Sequence, residues 1–114
     1  MLRKPLLFLL LLAGCSKGPD ADLQYIGEAR SAAAEWALVN DQAAQGKLTR
    51  PYATSMRKWL RDDLQTTSSS LTQPNSAYGQ EISGLLALPD DASPADLRAR
   101  SDKLKAIEDS LESA

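Results

Sequence analysis

The sequence ADLQYIGEARSAAAEWALVNDQAAQGKLTRP, residues 21–51, contains the clearest structural signals in the chain. From position 21 to 45 it is built mostly of good helix formers, and its apolar residues fall on two adjacent stripes at helical spacing. The first stripe is Leu23, Ile26, Ala33, Ala37 and Ala44, and the second is Tyr25, Ala29, Ala32, Trp36, Val39 and Ala43. So broad an alanine-rich face predicts a helix that packs closely between two neighbouring helices.

Both ends of this helix carry capping residues. Asp20 is expected to cap its start, and Gly46 is expected to end it in the left-handed conformation, with Leu48 as the accompanying apolar contact. Thr49 then caps a second helix, and Pro51 falls in the first turn of that helix, where its missing N–H costs little. The pattern predicts a helical hairpin.

Beyond the hairpin the signals are weaker. The apolar residues of the second helix are Tyr52, Met56, Trp59, Leu60 and Leu64. The run 66–70 (TTSSS) consists of poor helix formers and predicts a flexible or frayed helix end, although a helix that continues to Leu71 stays open as an alternative. After a break at Pro74-Asn75, a short third helix is expected from Ala77 to Leu88, ending before Pro89.

The last helix is better marked. Ser93 is a capping residue, Pro94 takes the first helical position and Asp96 the third. An apolar seam follows at Leu97, Leu104, Ile107 and Leu111, with opposite charges at i,i+4 in the pairs Asp96–Arg100, Arg98–Asp102 and Lys105–Asp109. Because no stretch alternates as a strand would, we expect an all-α domain at 20–114, a small bundle of three to four short helices.

Composition excludes several classes of catalytic site. The 114 residues contain no histidine and one cysteine, so a Ser-His-Asp triad, a Cys-His dyad and a Cys/His zinc cluster cannot be built. The acidic pairs at 62–63 and 90–91 are chain neighbours, and such neighbours point about 100° apart on a helix and rarely converge. We therefore expect no catalytic residue, no metal site and no cofactor.

The N-terminus carries the one recognisable motif. Arg3 and Lys4 precede an unbroken apolar run at 6–13, which is too short to span a bilayer and is typical of an export signal. The following Leu12-Ala13-Gly14-Cys15 resembles the lipobox of bacterial lipoproteins, in which signal peptidase II cleaves before the cysteine. We recognise no family for the rest of the chain.

The resemblance implies a signal peptide at 1–14 and a short tether at 15–19. It implies S-diacylglycerol and N-acyl groups on Cys15, which anchor the mature chain to a membrane. If the host is Gram-negative, Ser16 favours the outer membrane, since aspartate at that position usually signals inner-membrane retention. Removing Arg3 and Lys4 from 13 basic residues leaves 11 against 15 acidic ones, a net charge of −4, which argues against nucleic-acid binding.

A second candidate site lies on the second helix. Arg50, Arg57 and Arg61 are spaced i, i+7 and i+11 on one face, and Trp59 lies on a neighbouring face. These four residues, the arginine patch, could bind an anionic partner, but we favour a solvated face whose charges are met by nearby carboxylates. Trp36 and Trp59 are both expected in the core, because a small bundle has few other large side chains to bury.

The functional hypothesis follows partly by elimination. We favour a non-enzymatic accessory lipoprotein that binds another envelope protein, because the chain combines an export signal with a helical domain and lacks catalytic motifs. The expected binding surface is an exposed strip of the first or second helix. Two alternatives remain open. One is a module that binds peptidoglycan or another anionic polymer through the arginine patch, and the other is an exclusion or immunity lipoprotein of a mobile element.

Overall fold

The computed structural model describes residues 19–114. This part of the chain forms four helices without strands: α1 (Pro19–Ala44), α2 (Arg50–Ser70), α3 (Ala77–Leu86) and α4 (Pro94–Glu112). The all-α fold class is as predicted. The lipobox Leu12-Ala13-Gly14-Cys15, the signal peptide and most of the tether lie outside the described residues.

Helix α1 is the central element of the bundle. It makes the most extensive interface with α4, a second with α2 and a smaller one with the short helix α3. The large side chains that are almost fully buried come from all four helices: Ile26, Trp36, Leu60, Leu64, Ile82, Leu85, Leu97 and Leu104. Four buried alanines of α1, at 29, 32, 33 and 37, and the partly buried Ala43 let the neighbouring helices approach closely, as the alanine-rich stripes predict.

The predicted caps at Gly46, Thr49 and Ser93 are confirmed. Gly46 has φ 72°, its N–H donates to the Ala43 carbonyl at 3.0 Å, and the Lys47 N–H donates to the Gln42 carbonyl at 2.9 Å. This is the glycine-ended Schellman arrangement. Thr49 and Ser93 cap α2 and α4 through their side-chain oxygens, and the apolar side chain of Leu48 packs against the core.

Helix boundaries depart from the prediction at three places. Asp20 lies inside the first turn of α1 rather than capping it, because the helix already begins at Pro19. The run 66–70 is fully helical to Ser70; Thr67 is buried, and Ser69 and Ser70 donate to carbonyls four residues earlier. Helix α3 ends at Leu86 rather than Leu88, because Pro89 disfavours the helical conformation of the residue before it.

Charged pairs within α4 were mostly mispredicted. Lys105 and Asp109 do pair, at 3.1 Å. Arg98 instead lies 3.6 Å from Asp41 of α1, and Arg100 lies 3.3 Å from Glu81 of α3. These side chains reach across to other helices, so the charges join elements of the bundle rather than supporting α4 alone.

The prediction that Trp59 lies in the core is wrong. The side chain is 60% exposed, whereas Trp36 is 1% exposed. The inward positions of α2 are Ala53, Leu60 and Leu64, and Trp59, one residue before Leu60, therefore points about 100° away from them. Trp36 is in the core as predicted.

Candidate functional site

The first polar cluster joins the start of α1 to the loop between α2 and α3. The buried carboxylate of Asp22 accepts hydrogen bonds from the Thr72 N–H at 2.9 Å, the Thr72 hydroxyl at 3.0 Å and the Gln73 N–H at 3.1 Å. The Tyr78 hydroxyl donates to the same carboxylate at 2.6 Å. Asp22 therefore fixes the course of this loop.

The hydrogen bonds set the protonation of both partners. Burial by itself would raise the pKa of Asp22, but the bonds from Tyr78, Thr72 and Gln73 outweigh it and hold this pKa below its ordinary value. Burial, together with the bond to the Asp22 carboxylate, raises the pKa of Tyr78 to about 12. At neutral pH the pair is thus a carboxylate and a neutral phenol, an arrangement suited to structural bracing.

A second cluster holds the loop between α3 and α4, and it contains Arg61 of the arginine patch. The Arg61 guanidinium donates to the carbonyls of Leu86 at 2.7 Å and Leu88 at 2.6 Å, and pairs with the Asp90 carboxylate at 3.0 Å. Its Cζ lies 4.9 Å from the centre of the Trp36 ring, within the range of a cation–π contact. Arg61 is thus engaged inside the molecule.

The other members of the arginine patch are arranged differently. Arg57 donates from Nε to the Asn40 side-chain oxygen at 2.7 Å, and both Arg57 and Arg50 line a cavity at the end of α1. Trp59 lies exposed on the same helix. The structure thus brings Arg50 and Arg57 together and directs Arg61 to an internal role, and it does not gather the four residues into one continuous surface.

An exposed apolar surface is the feature that sequence reasoning located least well. Leu38 of α1 is 55% exposed and Tyr52 of α2 is 53% exposed. Both line one shallow groove of about 360 Å³ together with Met56. Trp59 continues the same face of α2, since positions 52, 56 and 59 follow the helical spacing. We call Leu38, Tyr52, Met56 and Trp59 the apolar face.

Carboxylates lie beside the apolar face. Glu35 lines the groove itself. Glu28 of α1, seven residues before Glu35, meets Asp63 of α2, seven residues after Met56. A hydrogen bond with Asp63 raises the pKa of Glu28, and charge repulsion between the two carboxylates raises it further. Within residues 19–114 no lysine or arginine forms an ion pair with any of these three carboxylates. The surface therefore joins apolar side chains to uncompensated negative charge.

None of the helices in the described part of the chain is both long enough and apolar enough to cross a membrane. Within the same residues, no three carboxylate, histidine or cysteine side chains are grouped so that they could hold a metal ion.

Comparisons with known proteins give no relative for the chain. No protein-family model, curated protein or solved structure matches it.

The apolar face had a partial signal in the sequence. Leu38 belongs to neither buried stripe of α1, and Tyr52 and Trp59 are seven residues apart on a helix whose inward seam is Ala53 and Leu60. Shifting the inward seam of α2 by one residue exposes both aromatic side chains together. The role of Asp22 had no such signal, because its partners lie about fifty residues away along the chain.

Proposed function

We propose that this chain is a lipid-anchored, non-enzymatic lipoprotein of the bacterial envelope whose helical domain binds another envelope protein through the apolar face. The anchoring part of this proposal is supported by Leu12-Ala13-Gly14-Cys15 and the basic and apolar residues before it. Acyl chains on Cys15 would hold the domain at a membrane surface, and Ser16 favours the outer membrane of a Gram-negative host.

The single observation that carries the binding part is the grouping of exposed apolar side chains. Leu38, Tyr52 and Trp59 are the large hydrophobic side chains that are more than half exposed in residues 19–114. Leu38 and Tyr52 line one groove between α1 and α2, and Trp59 lies two helical turns along α2 from Tyr52. Scattered exposed apolar residues are ordinary, whereas a contiguous set marks an interaction surface. Tyrosine and tryptophan also dominate binding energy where proteins meet.

The carboxylates beside the apolar face suggest the chemistry of the partner. A segment that places apolar side chains on Leu38 and Tyr52 would bring its flanking residues near Glu35, and near Glu28 and Asp63. Lysine or arginine at those flanking positions would meet carboxylates that form no ion pair with a basic residue within the described domain. An amphipathic helix with a basic flank fits a groove between two helices in this way.

The anchoring claim is tested by Cys15→Ser in cells grown with a labelled fatty acid. We expect the wild-type chain to take up label and to appear shortened after cleavage, and the variant to remain unlabelled and uncleaved. A processed, membrane-held Cys15→Ser protein would contradict the lipobox assignment.

The binding claim is tested by the double variant Leu38→Ser/Trp59→Ser, with Ala99→Ser/Ala106→Ser on the exposed side of α4 as the matched control. Crosslinking in intact cells followed by mass spectrometry should give one dominant envelope-protein partner for the wild type and the control. The apolar-face variant should lose that partner while its melting temperature stays close to that of the wild type. Equal capture by both variants would contradict a role for the apolar face.

A further inference from the structure

The cavity at the C-terminal end of α1 has an unusual charge arrangement. It measures about 530 Å³ and lies where α1 ends and α2 and α4 begin; Arg50, Arg57 and Asp91 are among its lining residues. That volume is within the usual range for small-ligand sites. The cavity is separate from the groove that Leu38 and Tyr52 line, although Leu48 borders both.

The two arginines differ from the other arginines of the domain. Residues 19–114 contain six arginines. Four of these have a carboxylate within 4.0 Å, namely Arg30, Arg61, Arg98 and Arg100. Arg50 and Arg57 have none among the described residues, and both line this cavity. The two arginines that the fold leaves without an ion pair thus lie at one place.

Arg57 is also held in position. Its Nε donates to the Asn40 side-chain oxygen at 2.7 Å, and the Asn40 amide in turn donates to the carbonyls of Asp90 at 3.0 Å and Ala92 at 2.7 Å. Asn40 is buried. The bonds therefore fix the guanidinium through Nε and leave its two terminal nitrogens, for which the described residues supply no hydrogen-bond acceptor, available to a ligand.

From this arrangement we infer that the cavity binds an oxyanion, a carboxylate or a phosphate group, between Arg50 and Arg57. A guanidinium presents paired N–H donors whose geometry matches both groups. Arg57 supplies a guanidinium that is already held in position, and the exposed Arg50 contacts the ligand from the start of α2. Asp91 opposes the anion and limits the affinity.

The position of the cavity indicates where the anion comes from. At about 1.5 Å per residue, the 26 residues of α1 place its C-terminal end roughly 38 Å from Pro19. If Cys15 is acylated as proposed, the cavity lies at the end of α1 far from the anchor. An anionic group on a peptide or polymer of the envelope can reach it more readily than a headgroup of the anchoring membrane.

The inference is tested by calorimetric titration of the full-length protein in a neutral detergent. The probes are inorganic phosphate, a tetra-alanine peptide with a free carboxylate, the same peptide with an amidated C-terminus, and vesicles with and without phosphatidylglycerol. We expect saturable binding of phosphate or of the free carboxylate, weakened by added salt, and none of the amidated peptide. Binding to anionic vesicles alone would overturn the inference of a discrete site.

Variants locate the site. Arg50→Gln should weaken binding by at least about tenfold, because a charge-assisted pair is lost, and Asp91→Asn should tighten it severalfold. The control, Lys58→Gln, removes one positive charge from the same helix outside the cavity and should leave binding unchanged. Equal affinities of Arg50→Gln and Lys58→Gln, or saturable binding of the amidated peptide, would overturn the assignment.

Discussion

The Tyr78 hydroxyl lies 2.6 Å from Oδ2 of Asp22, and this bond joins the first turn of α1 to the start of α3, 56 residues later in the chain. The same carboxylate receives two backbone N–H groups of the intervening loop, from Thr72 and Gln73. One buried side chain thereby satisfies donors that helices alone leave unpaired. Asp22 is consequently a structural residue despite its charge.

Replacing Asp22 with asparagine should lower the stability of the bundle. The amide keeps one acceptor oxygen but loses the charge, so we expect a loss of about 2–3 kcal/mol in the free energy of unfolding at pH 7. Chemical denaturation of the purified wild type and Asp22→Asn measures it. Asp20→Asn, at an exposed neighbouring position, is the control and should change stability by less than about 0.5 kcal/mol.

The difference between wild type and Asp22→Asn should depend on pH in the acid range. The folded protein holds the pKa of Asp22 below its ordinary value of 3.8, so its stabilising effect is fully present above that value and is lost as the pH falls through the folded pKa. Denaturation curves from pH 7 to pH 2 should show the two proteins converging. A constant difference across this range would contradict the proposed ionised state.

Tyr78 should give the opposite pH dependence. Its pKa is raised from 10.0 to about 12, so the neutral hydroxyl stabilises the fold below pH 10, and this stabilisation is lost as the pH rises from there through about 12. The wild type should therefore be more stable than Tyr78→Phe at pH 8, and this advantage should shrink above pH 10. An advantage that is unchanged at pH 11.5 would show that Tyr78 ionises without the influence of Asp22.

The two tryptophans should respond very differently to truncation. Trp36→Ala removes a fully buried ring and its N–H bond to the Asp90 carbonyl, and should cost about 3–5 kcal/mol. Trp59→Ala removes a mostly exposed ring and should change stability by less than about 1 kcal/mol. Thermal melts followed by circular dichroism distinguish the two, and a large effect of Trp59→Ala would place its side chain in the core.

Arg61 should prove structural when compared with Lys58 on the same helix. Arg61→Gln leaves the carbonyls of Leu86 and Leu88 without their donor and should cost about 1–3 kcal/mol. Lys58 forms an exposed pair with Asp62, so Lys58→Gln should have almost no effect. Backbone amides in the segment 87–92 should exchange hydrogen faster in Arg61→Gln but not in Lys58→Gln. Similar exchange rates in both variants would instead indicate that Arg61 lies on a solvated face, as the sequence predicted.

The sequence predicted three helix ends at which a residue acts through its own backbone neighbourhood. Gly46, Thr49 and Ser93 mark helix ends because their conformation or side-chain oxygen affects N–H groups within three residues, and all three lie where the pattern indicated. The alanine stripes of α1 were also predictable, because their helical spacing lies within one continuous segment of the sequence.

Long-range partners were not predictable in the same way. Arg98 and Arg100 have suitable acidic neighbours within α4, yet they pair with Asp41 and Glu81 on other helices, since tertiary packing determines which carboxylate is closest. The rotation of α2 about its axis was also ambiguous by one residue. The sequence therefore did not establish which of Trp59 and Leu60 lies in the core, and for the same reason it did not predict the apolar face.

The most direct test of the proposed function is photocrosslinking from the apolar face in living cells. A photoreactive amino acid replaces Trp59 in one strain and Ala106, on the exposed side of α4, in another. We predict one dominant crosslinked envelope protein from position 59, absent from position 106 and lost when Leu38→Ser is added. Crosslinks of equal pattern from both positions, or none from position 59, would contradict the proposal that this chain binds a partner through its apolar face.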